Sequence, residues 1–422
     1  MTIPPPERPS VDTAEPVPLV GPAYKRDPYP LYDALRRRCP VHRVRFPSGV
    51  HAWLVTGYDA AHSALTDRRL GKDHRLGNDT WRALASIMPE PQHSQLQVHL
   101  LHQDPPVHTV MRALVVDAFA PRAVEALRPG LQDLADALVD DLVAALRSGA
   151  GPVDLIAGFA ARFPFAALAT AIGLPPGTAA RFRREWGGVV APVGPTDPGR
   201  PRYEALLHGL QTYIAEVVIA VRDDPADGLL TRLVRAHDDG TLTAAQLDSM
   251  VFQLLVAGQE PVTNQIGTAL VALLTHPGAA ARLGAEPELV PRAVEELLRY
   301  DSAFELTTWR FFGEDSDLHG RAIPAGDSVI VSLCAANRDP RRFTDPDRLD
   351  LDRSPNPHLA FGHGIHFCPG AALARAELQI AIGTLLRRLP GLRLAVEPGE
   401  LTWVPAVLGR GVTALPVRAD LG

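Results

Sequence analysis

Cysteine is scarce in this sequence. Only three cysteines occur in 422 residues, and they are far apart, at Cys39, Cys334 and Cys368. Small secreted domains that depend on disulfides carry cysteine at much higher density and at close spacings. The composition therefore excludes a disulfide scaffold and predicts a protein of a reducing compartment, which we expect to be the cytoplasm.

Long apolar runs at the start of the chain and a strong charge of either sign are also missing. The chain has 42 Lys and Arg against 48 Asp and Glu, a net charge of −6. No nucleic-acid-binding motif accompanies this mild acidity, so we expect no nucleic-acid partner. Residues 1–20 are rich in proline and hold no apolar run, and we expect neither a signal peptide nor a membrane anchor. The whole chain is 46% hydrophobic and 21% charged, which is typical of a soluble globular protein with a sizeable core.

Helical periodicity dominates the chain, and strand-like segments are few. They fall at 41–56, where Pro47-Ser48-Gly49 predicts a hairpin turn, and at about 308–333 and 392–418. We therefore expect a mainly α protein with a minor β-sheet. Because both ends of the chain contribute strands, the sequence predicts one domain over 1–422, with 1–20 as a proline-rich leader.

One helix is predicted to be long. Thr243 and Gln246 form a capping-box pattern, and apolar periodicity then continues to about Leu274. At 1.5 Å per residue such a helix spans roughly 45 Å, enough to cross the molecule through its centre. Two stretches, 68–97 and 187–201, are polar or rich in Gly and Pro and are predicted to be long loops.

The most informative run covers residues 361–370 and reads Phe-Gly-His-Gly-Ile-His-Phe-Cys-Pro-Gly. Its glycines allow positive φ and a close approach to a flat partner, and amides turned toward the sulfur of Cys368 would tune a thiolate ligand. Haem is such a planar partner. Two alternatives are open at this point: Cys368 as a small buried hydrophobic residue, or a structural zinc site with His363 and His366, although no second ligand pair lies nearby.

This run resembles the cysteine-ligand loop of the cytochrome P450 family, whose thiolate binds haem iron from the proximal side. The resemblance implies the cytochrome P450 fold, with the long helix across the haem, and haem b with Cys368 as its axial ligand. It implies cofactor contacts from Phe361 and Gly370. It also places the loops 68–97 and 187–201 over the substrate pocket.

Glu296 and Arg299 match the family's Glu-x-x-Arg element. Their spacing puts a carboxylate and a guanidinium on one helix face, where a bidentate pair can form. The same spacing is typical of exposed pairs that contribute little stability. The resemblance adds Arg348 as a third member and implies that the three residues lock the segment that presents Cys368, which is a structural role.

Four residues match the family's anchors for the two haem propionates. His108 and Arg112 are spaced i,i+4 on one predicted helix face, Arg310 lies in a strand-like stretch, and His366 lies in the cysteine loop. Each residue alone is more simply a solvated polar group. The set of four in the family's order favours propionate binding.

The predicted long helix contains a run that resembles the family's oxygen-activating element, usually Ala-Gly-x-Glu/Asp-Thr-Thr. In this chain the run is Ala257-Gly258-Gln259-Glu260-Pro261-Val262-Thr263. The small Ala257 and Gly258 imply space for dioxygen beside the haem, and Glu260 stands where the acid of the proton relay belongs. Pro261 replaces the usual alcohol, removes a backbone donor and predicts a distorted helix.

Two interpretations of Pro261 are open. In the first, Gln259, Glu260 or Thr263, ordered water or a substrate hydroxyl takes over the relay, and oxygen insertion continues. In the second, the enzyme couples radicals, forming C–C or C–N bonds, or desaturates an aromatic or peptide-like substrate without inserting oxygen. We favour the first interpretation.

The resemblance also carries a substrate pocket onto this chain. Its predicted members are Gln95, Gln97, Val256, Ala257, Pro261, Leu306, Thr307 and Val407. These side chains are apolar or carry neutral polar groups, without a cluster of positive charge. They favour a small, neutral, fairly apolar substrate such as a natural product.

Electrons are expected to come from separate proteins. The sequence contains no dinucleotide-binding glycine fingerprint after a strand, and the recognised elements leave no room for a flavin domain. We therefore expect a ferredoxin and a ferredoxin reductase as partners, with arginines at 36–38, 341–342 and 387–388 available to attract them. The leading hypothesis is a ferredoxin-dependent haem-thiolate monooxygenase of secondary metabolism; a non-catalytic haem sensor is a further alternative.

Overall fold

The computed structural model describes residues 16–19, 21–85, 92–149, 151–186 and 198–421, without the side chains of 18 and 183–186. Most of the predicted leader and of the predicted loop 187–201 lies outside these residues. The described α-helices are α1 (Pro22–Arg26), α2 (Tyr29–Arg38), α3 (Tyr58–Thr66), α4 (Asp79–Ala85), α5 (Gln92–Leu96), α6 (Val107–Val115), α7 (Pro121–Arg147), α8 (Phe163–Ile172), α9 (Pro176–Trp186), α10 (Arg200–Asp223), α11 (Leu229–Asp238), α12 (Ala244–Ala257), α13 (Glu260–Thr275), α14 (Ala279–Ala285), α15 (Val290–Tyr300), α16 (Leu333–Asn337) and α17 (Ala371–Arg388). The described strands are β1 (Val17–Pro18), β2 (Val41–Arg45), β3 (His51–Val55), β4 (Leu70–Gly71), β5 (Val153–Asp154), β6 (Arg310–Phe312), β7 (Ser316–Leu318), β8 (Arg321–Ile323), β9 (Ser328–Val331), β10 (Arg393–Leu394) and β11 (Pro416–Arg418).

The strands form a six-stranded sheet in the order β1-β2-β3-β9-β6-β4, a three-stranded sheet β10-β11-β5 and the hairpin β7-β8. The predicted hairpin is present, with β2 antiparallel to β3. In the larger sheet β3 pairs in parallel with β9, so that Trp53 lies opposite Val329. The mainly helical fold with a minor sheet is thus confirmed. Segments as far apart as β1 and β9 meet in the larger sheet, whereas the C-terminal strands β10 and β11 pair with β5.

Helix α17 lies at the centre of the largest apolar core. It packs against α7, α13 and α15, and its buried side chains include Leu378, Ile382 and Leu385. Gly370 is the N-cap of this helix. The core therefore fixes the polypeptide only two residues after Cys368.

The predicted long helix begins as expected and is interrupted in its middle. The Thr243 hydroxyl accepts a hydrogen bond from the Gln246 N–H, and the Gln246 side chain accepts one from the Thr243 N–H. Helix α12 then ends at Ala257, and α13 begins at Glu260. Pro261 is the cause, because its nitrogen has no hydrogen to donate to the Ala257 carbonyl and its ring crowds that carbonyl.

The stretch 68–97 is not the long loop that the sequence predicts. Its described residues include β4, α4, α5 and a short 3-10 turn at His74–Leu76. The Asn78 side chain accepts a hydrogen bond of 2.8 Å from the Trp81 N–H, and Trp81 is buried. A local cap and a buried aromatic side chain thus stabilise helical turns in a segment whose composition is polar.

Within the part of the chain that the structure describes, one helix, α10, is long and apolar enough by composition to cross a membrane. Leu207, Ile214 and Val217 on this helix are buried against the rest of the protein. Such burial is typical of a core helix, which passes the same test of length and composition.

Candidate active site

A large cavity opens beside the cysteine loop, between that loop, the α12–α13 break and the segment before β6. It encloses about 1520 Å³ of empty space, including the part open to solvent. Cys368 and Gly370 lie in one wall, and Ala257, Gly258 and Pro261 lie in another. The structure thus brings the two motifs that matter most in the sequence to a common cavity.

The backbone of the cysteine loop is held tightly. The Cys368 N–H donates a hydrogen bond of 3.0 Å to the Phe361 carbonyl. Gly364 has a φ of 75°, and a Cβ there would lie only 2.7 Å from the Leu65 carbonyl oxygen. Glycine is therefore required at 364, both for its left-handed conformation and for the close approach to α3.

The surroundings of the Cys368 sulfur suit a metal ligand. Burial raises the pKa of the Cys368 thiol, while the Gly370 N–H and the guanidinium groups of Arg112 and Arg375 lower it by smaller amounts. A cation bound to the sulfur would favour the thiolate further. The groups around the sulfur thus favour the thiolate, and a bound iron ion would stabilise it further.

Side chains behind the loop fix its orientation. Arg375 forms a bidentate ion pair with Glu295 at 2.7 and 2.9 Å, and His358 lies 3.1 Å from the same carboxylate. The Arg375 guanidinium is 4.6 Å from the centre of the Phe361 ring. Phe361, a predicted cofactor contact, therefore has one face held by a cation while it lines the cavity.

The zinc alternative finds no support. His363 stacks against His62 with ring centres 4.1 Å apart, whereas His366 lies against His108 at 4.4 Å. The two rings thus face different partners. Among the described residues no group of three or more His, Cys, Asp or Glu side chains is placed to hold a metal ion.

The four predicted propionate anchors lie close together. His108 and Arg310 are buried, and Arg112 donates a hydrogen bond of 2.7 Å to the Phe367 carbonyl in the cysteine loop. The pKa of His366 is lowered to about 2 by burial and by the positive charges of Lys72 and Arg310. This concentration of positive charge is suited to an anionic group.

Several nitrogen atoms in this cluster are buried without a hydrogen-bond partner. They are His108 Nε2, Arg310 Nε and His366 Nε2. Unpaired buried donors are costly, so a folded protein retains them where a ligand completes the bonding. Two carboxylates at the edge of a planar group fit the cluster, as haem propionates would.

Lys72 belongs to this cluster and has no sequence signature. It is almost fully buried and lines the cavity. Its ammonium group donates to the carbonyl oxygens of Thr308 and Trp309 at 3.1 and 3.0 Å. Burial and the charge of Arg310 hold the pKa of Lys72 well below its usual value. A lone lysine in a polar stretch gives no reason to expect this position.

The helix break shapes the opposite wall. Ala257 and Gly258 line the cavity together with Pro261. A Cβ on Gly258 would lie 2.6 Å from a methyl carbon of Leu168, so glycine lets α8 approach the break. The predicted distortion at Pro261 is thus present, and it lies at the cavity surface.

The predicted relay residues face away from the cavity. Glu260 is directed toward the turn around Gly409, where a Cβ would lie 3.7 Å from its Oε1 atom. Burial raises the pKa of Glu260, and a hydrogen bond from the Asn264 side chain opposes this shift. The Thr263 hydroxyl is buried without a partner, and Gln259 is the N-cap of α13. None of these three relay residues is part of the cavity lining.

The buried ion pair behind the site contains two of the three residues predicted for it. The carboxylate of Glu296 forms a bidentate pair with Arg299 at 2.7 and 2.8 Å, and both residues are fully buried. The third side chain is Arg353, whose Nε lies 3.0 Å from Glu296, and not Arg348. Arg348 is exposed and contributes only its carbonyl oxygen, 3.2 Å from Arg299. The prediction for Arg348 is therefore wrong, because spacing along the chain does not reveal which arginine turns inward.

The predicted substrate contacts need a similar correction. Ala257, Pro261 and Thr307 line the cavity. The predicted residues outside the lining are Gln95, Gln97, Val256, Leu306 and Val407. Two causes are visible.

The first cause is local periodicity. Leu306 precedes Thr307 in an extended segment and therefore points to the other side, where it is fully buried. Val256 and Val407 are exposed. The second cause is a different neighbour: the Gln95 amide accepts a hydrogen bond from Gln211 on α10.

The apolar part of the cavity is lined by residues that the sequence argument missed. They are Leu100, Leu101, Leu168, Met250, Gln253 and Leu254. Met250, Gln253 and Leu254 precede Ala257 by seven, four and three residues, which is the spacing of one helix face. This spacing is visible in the sequence and predicts that Met250, Gln253 and Leu254 share a face with Ala257.

A cluster of histidines supports this wall from behind. The ring of His102 lies 4.0 Å from that of His74 and 4.4 Å from that of His99. His99 and His102 are buried and flank Leu100 and Leu101. Burial, with neighbouring positive charge, lowers the pKa of His74 and of His99 to about 3. The cluster is therefore neutral at physiological pH.

Comparison with known proteins agrees with this geometry. A family model described as Cytochrome P450 matches residues 209–390. The chain is 43% identical over 401 residues to the cytochrome P450 monooxygenase PikC of Streptomyces venezuelae, across 94% of this chain and 92% of that protein.

Solved structures give the same result. The myxobacterial cytochrome P450 CYP267B1, in complex with myristic acid, superposes with a TM-score of 0.89 at 39% identity, covering 96% of this chain and 99% of that one. CxnD, described as a cytochrome P450 enzyme for C–S bond formation in chuangxinmycin biosynthesis, has a TM-score of 0.86 at 35% identity, covering 96% and 98%.

Proposed function

This chain belongs to the cytochrome P450 family and is an enzyme of that type, and we propose that it binds haem b through Cys368 and oxidises a small, neutral, fairly apolar molecule with O2 and external electrons. The observation that carries the proposal is one cavity whose lining joins Cys368 and the propionate anchors Arg310 and His366 to an apolar chamber. Buried nitrogen atoms of Arg310, His366 and the neighbouring His108 have no hydrogen-bond partner. Natural products are the substrate class that the relatives support, since PksS of Bacillus subtilis is named as a cytochrome P450 of polyketide biosynthesis and CxnD is described as acting in chuangxinmycin biosynthesis.

The residues divide the work by position. Cys368 would hold the haem iron through its thiolate, and the propionates would be held by His108, Arg112, Arg310 and His366. The bound haem supplies oxygen activation. The apolar wall around Leu100 and Leu254 excludes water and holds the substrate by its apolar surface.

The proton supply uses the buried carboxyl of Glu260. Its raised pKa keeps a proton on the carboxyl over a wider pH range than an exposed glutamate would. Because Pro261 has no hydroxyl, the step between this carboxyl and the cavity falls to ordered water or to a substrate hydroxyl. Thr263 has a free hydroxyl, but it lies outside the cavity lining.

A ferrous carbon-monoxide difference spectrum tests the ligand. The expected result is the red-shifted Soret band of a thiolate-bound haem. A band at the position typical of histidine ligation would remove Cys368 from the proposal. Turnover with a ferredoxin and its reductase, followed by mass spectrometry under ¹⁸O2, then tests oxygen insertion. One added ¹⁸O atom is expected.

Oxidative coupling or desaturation is the second candidate. Pro261 favours it, because the position that ordinarily carries the relay alcohol lines the cavity as a ring without donors. The similar CxnD is described as forming a C–S bond. A product without ¹⁸O, either desaturated or joined to a second group, would support this candidate over monooxygenation. The sensor hypothesis loses ground, since close relatives are named as monooxygenases and hydroxylases.

For electron supply we propose a ferredoxin and a ferredoxin reductase. The structure narrows the arginines expected to attract them. Arg36 is buried and donates to the Ala335 carbonyl, so it is not available. Arg387 and Arg388 pair with Asp136 on α7. Arg37 pairs with Asp33. Arg38, Arg341 and Arg342 are exposed and are the better candidates. A single domain and a cytoplasmic location are parts of the same proposal.

A further inference from the structure

Gln253 on α12 has an unusual place in the cavity. It lines the apolar chamber, and its Oε1 atom is buried without a hydrogen-bond partner. We propose that Gln253 selects substrates that carry a hydroxyl or amide N–H group, which donates to this Oε1 atom. The inference rests on the proposed function and names the substrate feature that this cavity recognises.

A second glutamine in the same lining shows what a satisfied amide looks like here. Gln265 on α13 donates to the Asp301 carbonyl at 3.1 Å and accepts from the Ala303 N–H at 2.8 Å. Its amide is occupied by the protein itself. Gln253 has the same chemistry and an unoccupied acceptor, and because Gln253 lines the cavity, a donor group of a bound molecule would complete its hydrogen bonding.

The two threonine hydroxyls of the lining are already engaged. The Thr307 hydroxyl accepts a hydrogen bond of 3.1 Å from the Val331 N–H. The Thr308 hydroxyl accepts one from the Lys72 ammonium group. Glu377 Oε1 is also without a partner, but Glu377 lies on α17, in the wall of Cys368. In the α12 wall, Gln253 presents a free acceptor to a molecule that enters among leucine and methionine side chains.

The chemistry of the acceptor defines the ligand group. A carboxamide is neutral, so it binds O–H or N–H donors without requiring a charge. Glu377 is the acidic side chain in the described lining; it lies on α17 beyond Cys368, and burial holds its pKa well above the usual value. A cationic amine therefore finds no negative charge beside Gln253, and a neutral donor is the matching group.

The position of Gln253 also restricts where such a substrate reacts. Gln253 and Ala257 are four residues apart on one face of α12, about 6 Å along the helix axis. A substrate held at Gln253 thus places atoms about one helical turn from its donor group beside the small residues at the helix break. Oxidation is expected near the donor group, and not at the far end of a long molecule.

Matched ligands test the inference on the haem-loaded enzyme. Cyclododecanol and its methyl ether have the same apolar ring, but only the alcohol has a donor. We expect the wild type to bind the alcohol about 3- to 10-fold more tightly than the ether, measured by the Soret spin-state shift and by equilibrium dialysis. In Gln253→Met the two dissociation constants should become equal.

Gln95→Met is the matched control. Gln95 is also a glutamine, but its amide pairs with Gln211 outside the cavity lining, so this variant should keep the preference for the alcohol. Equal binding of alcohol and ether by the wild type, or an unchanged preference in Gln253→Met, would overturn the inference. Absence of binding of either ligand by dialysis would overturn it as well.

The proposed function fails differently. Its failure appears as a missing red-shifted Soret band in the carbon-monoxide spectrum of the wild type, before any ligand is added. A normal band together with equal binding of the two ligands rejects the role of Gln253 alone. Gln253→Met must retain the wild-type band, which shows that the variant folds and binds haem.

Discussion

The two walls of the cavity are built on different principles. The wall around Cys368 is fixed by backbone geometry and buried charge, with Gly364 against the Leu65 carbonyl and Arg375 paired with Glu295. The opposite wall is formed by a broken helix and apolar side chains, and it contains one free amide, that of Gln253. The residues of the first wall are constrained by one cofactor, whereas the side chains that line the second wall can be exchanged without loss of the fold. Chemistry common to a family thus belongs to the first wall and individual specificity to the second.

The largest effect is expected from the first wall. Cys368→Ser replaces the thiolate by a hydroxyl, which is a much weaker ligand for iron. The red-shifted carbon-monoxide band should disappear and substrate oxidation should fall below detection. Retention of both would show that the sulfur is not the ligand, and the contrast between the walls would lose its basis.

The next effect tests the charges behind that wall. Arg299→Met leaves the Glu296 carboxylate buried with only Arg353 as a charged partner, and removal of one member of a buried pair typically costs about 3–5 kcal/mol of the free energy of unfolding. Urea denaturation measures it. Arg348→Met is the matched control, since this arginine is exposed and its loss should cost less than about 0.5 kcal/mol. Equal losses of unfolding free energy in the two variants would contradict the conclusion that the Arg348 side chain lies outside the ion pairs of Glu296.

Two glutamines of the lining have different expected roles, one in the stability of the fold and one in the selection of substrate. Gln265→Met leaves the Ala303 N–H without its partner and removes one of the two donors to the Asp301 carbonyl, the other being the Thr268 hydroxyl. It should lower the free energy of unfolding by about 1–3 kcal/mol. Gln253→Met removes no internal hydrogen bond to Oε1 and should leave stability nearly unchanged. Denaturation of both variants by urea checks the pair. A larger loss in Gln253→Met would mean that its amide supports the fold.

Acid should weaken the second wall through its histidines. The pKa of His99 is about 3 in the folded protein and about 6.5 in an unfolded chain. Because the pKa is lower in the folded protein, the unfolded chain takes up a proton at this histidine below pH 6.5 while the folded protein does not. The free energy of unfolding therefore falls as the pH drops from 6.5 toward 3.

His99→Phe removes this titration. Between pH 6.5 and 5 the wild type should lose about 2 kcal/mol more than the variant, measured by urea denaturation across that range. His208 is exposed on α10, and His208→Phe should leave the pH dependence unchanged. Parallel pH profiles for the wild type and His99→Phe would contradict the prediction.

The smallest effect is expected at the helix break. Pro261→Thr restores a hydroxyl and a backbone N–H, and Pro261→Ala restores the N–H alone. The threonine variant should release less peroxide per electron pair consumed than the alanine variant, because it adds a hydrogen-bonding group at the cavity surface. Equal peroxide release would show that Pro261 is not where proton delivery differs.

The sequence predicted the first wall better than the second for physical reasons. A cysteine loop depends on glycine at fixed positions, and a capping box depends on two residues three apart, so both are visible as local patterns. The choice of Arg353 over Arg348 depends on which side chain turns inward, which only the folded chain decides. The direction of Leu306 and the free acceptor of Gln253 likewise follow from packing. The helix periodicity before Ala257 was a usable signal that pointed to Met250 and Gln253.

The parallel pairing of β3 with β9 has a consequence for the synthesis of this protein. Residues around Trp53 leave the ribosome long before those around Val329, which they must pair with. Until then β3 has an open edge that can pair with other chains. Contacts between such distant residues also slow folding. The nascent chain therefore has to be protected from aggregation until nearly four fifths of its length has been made.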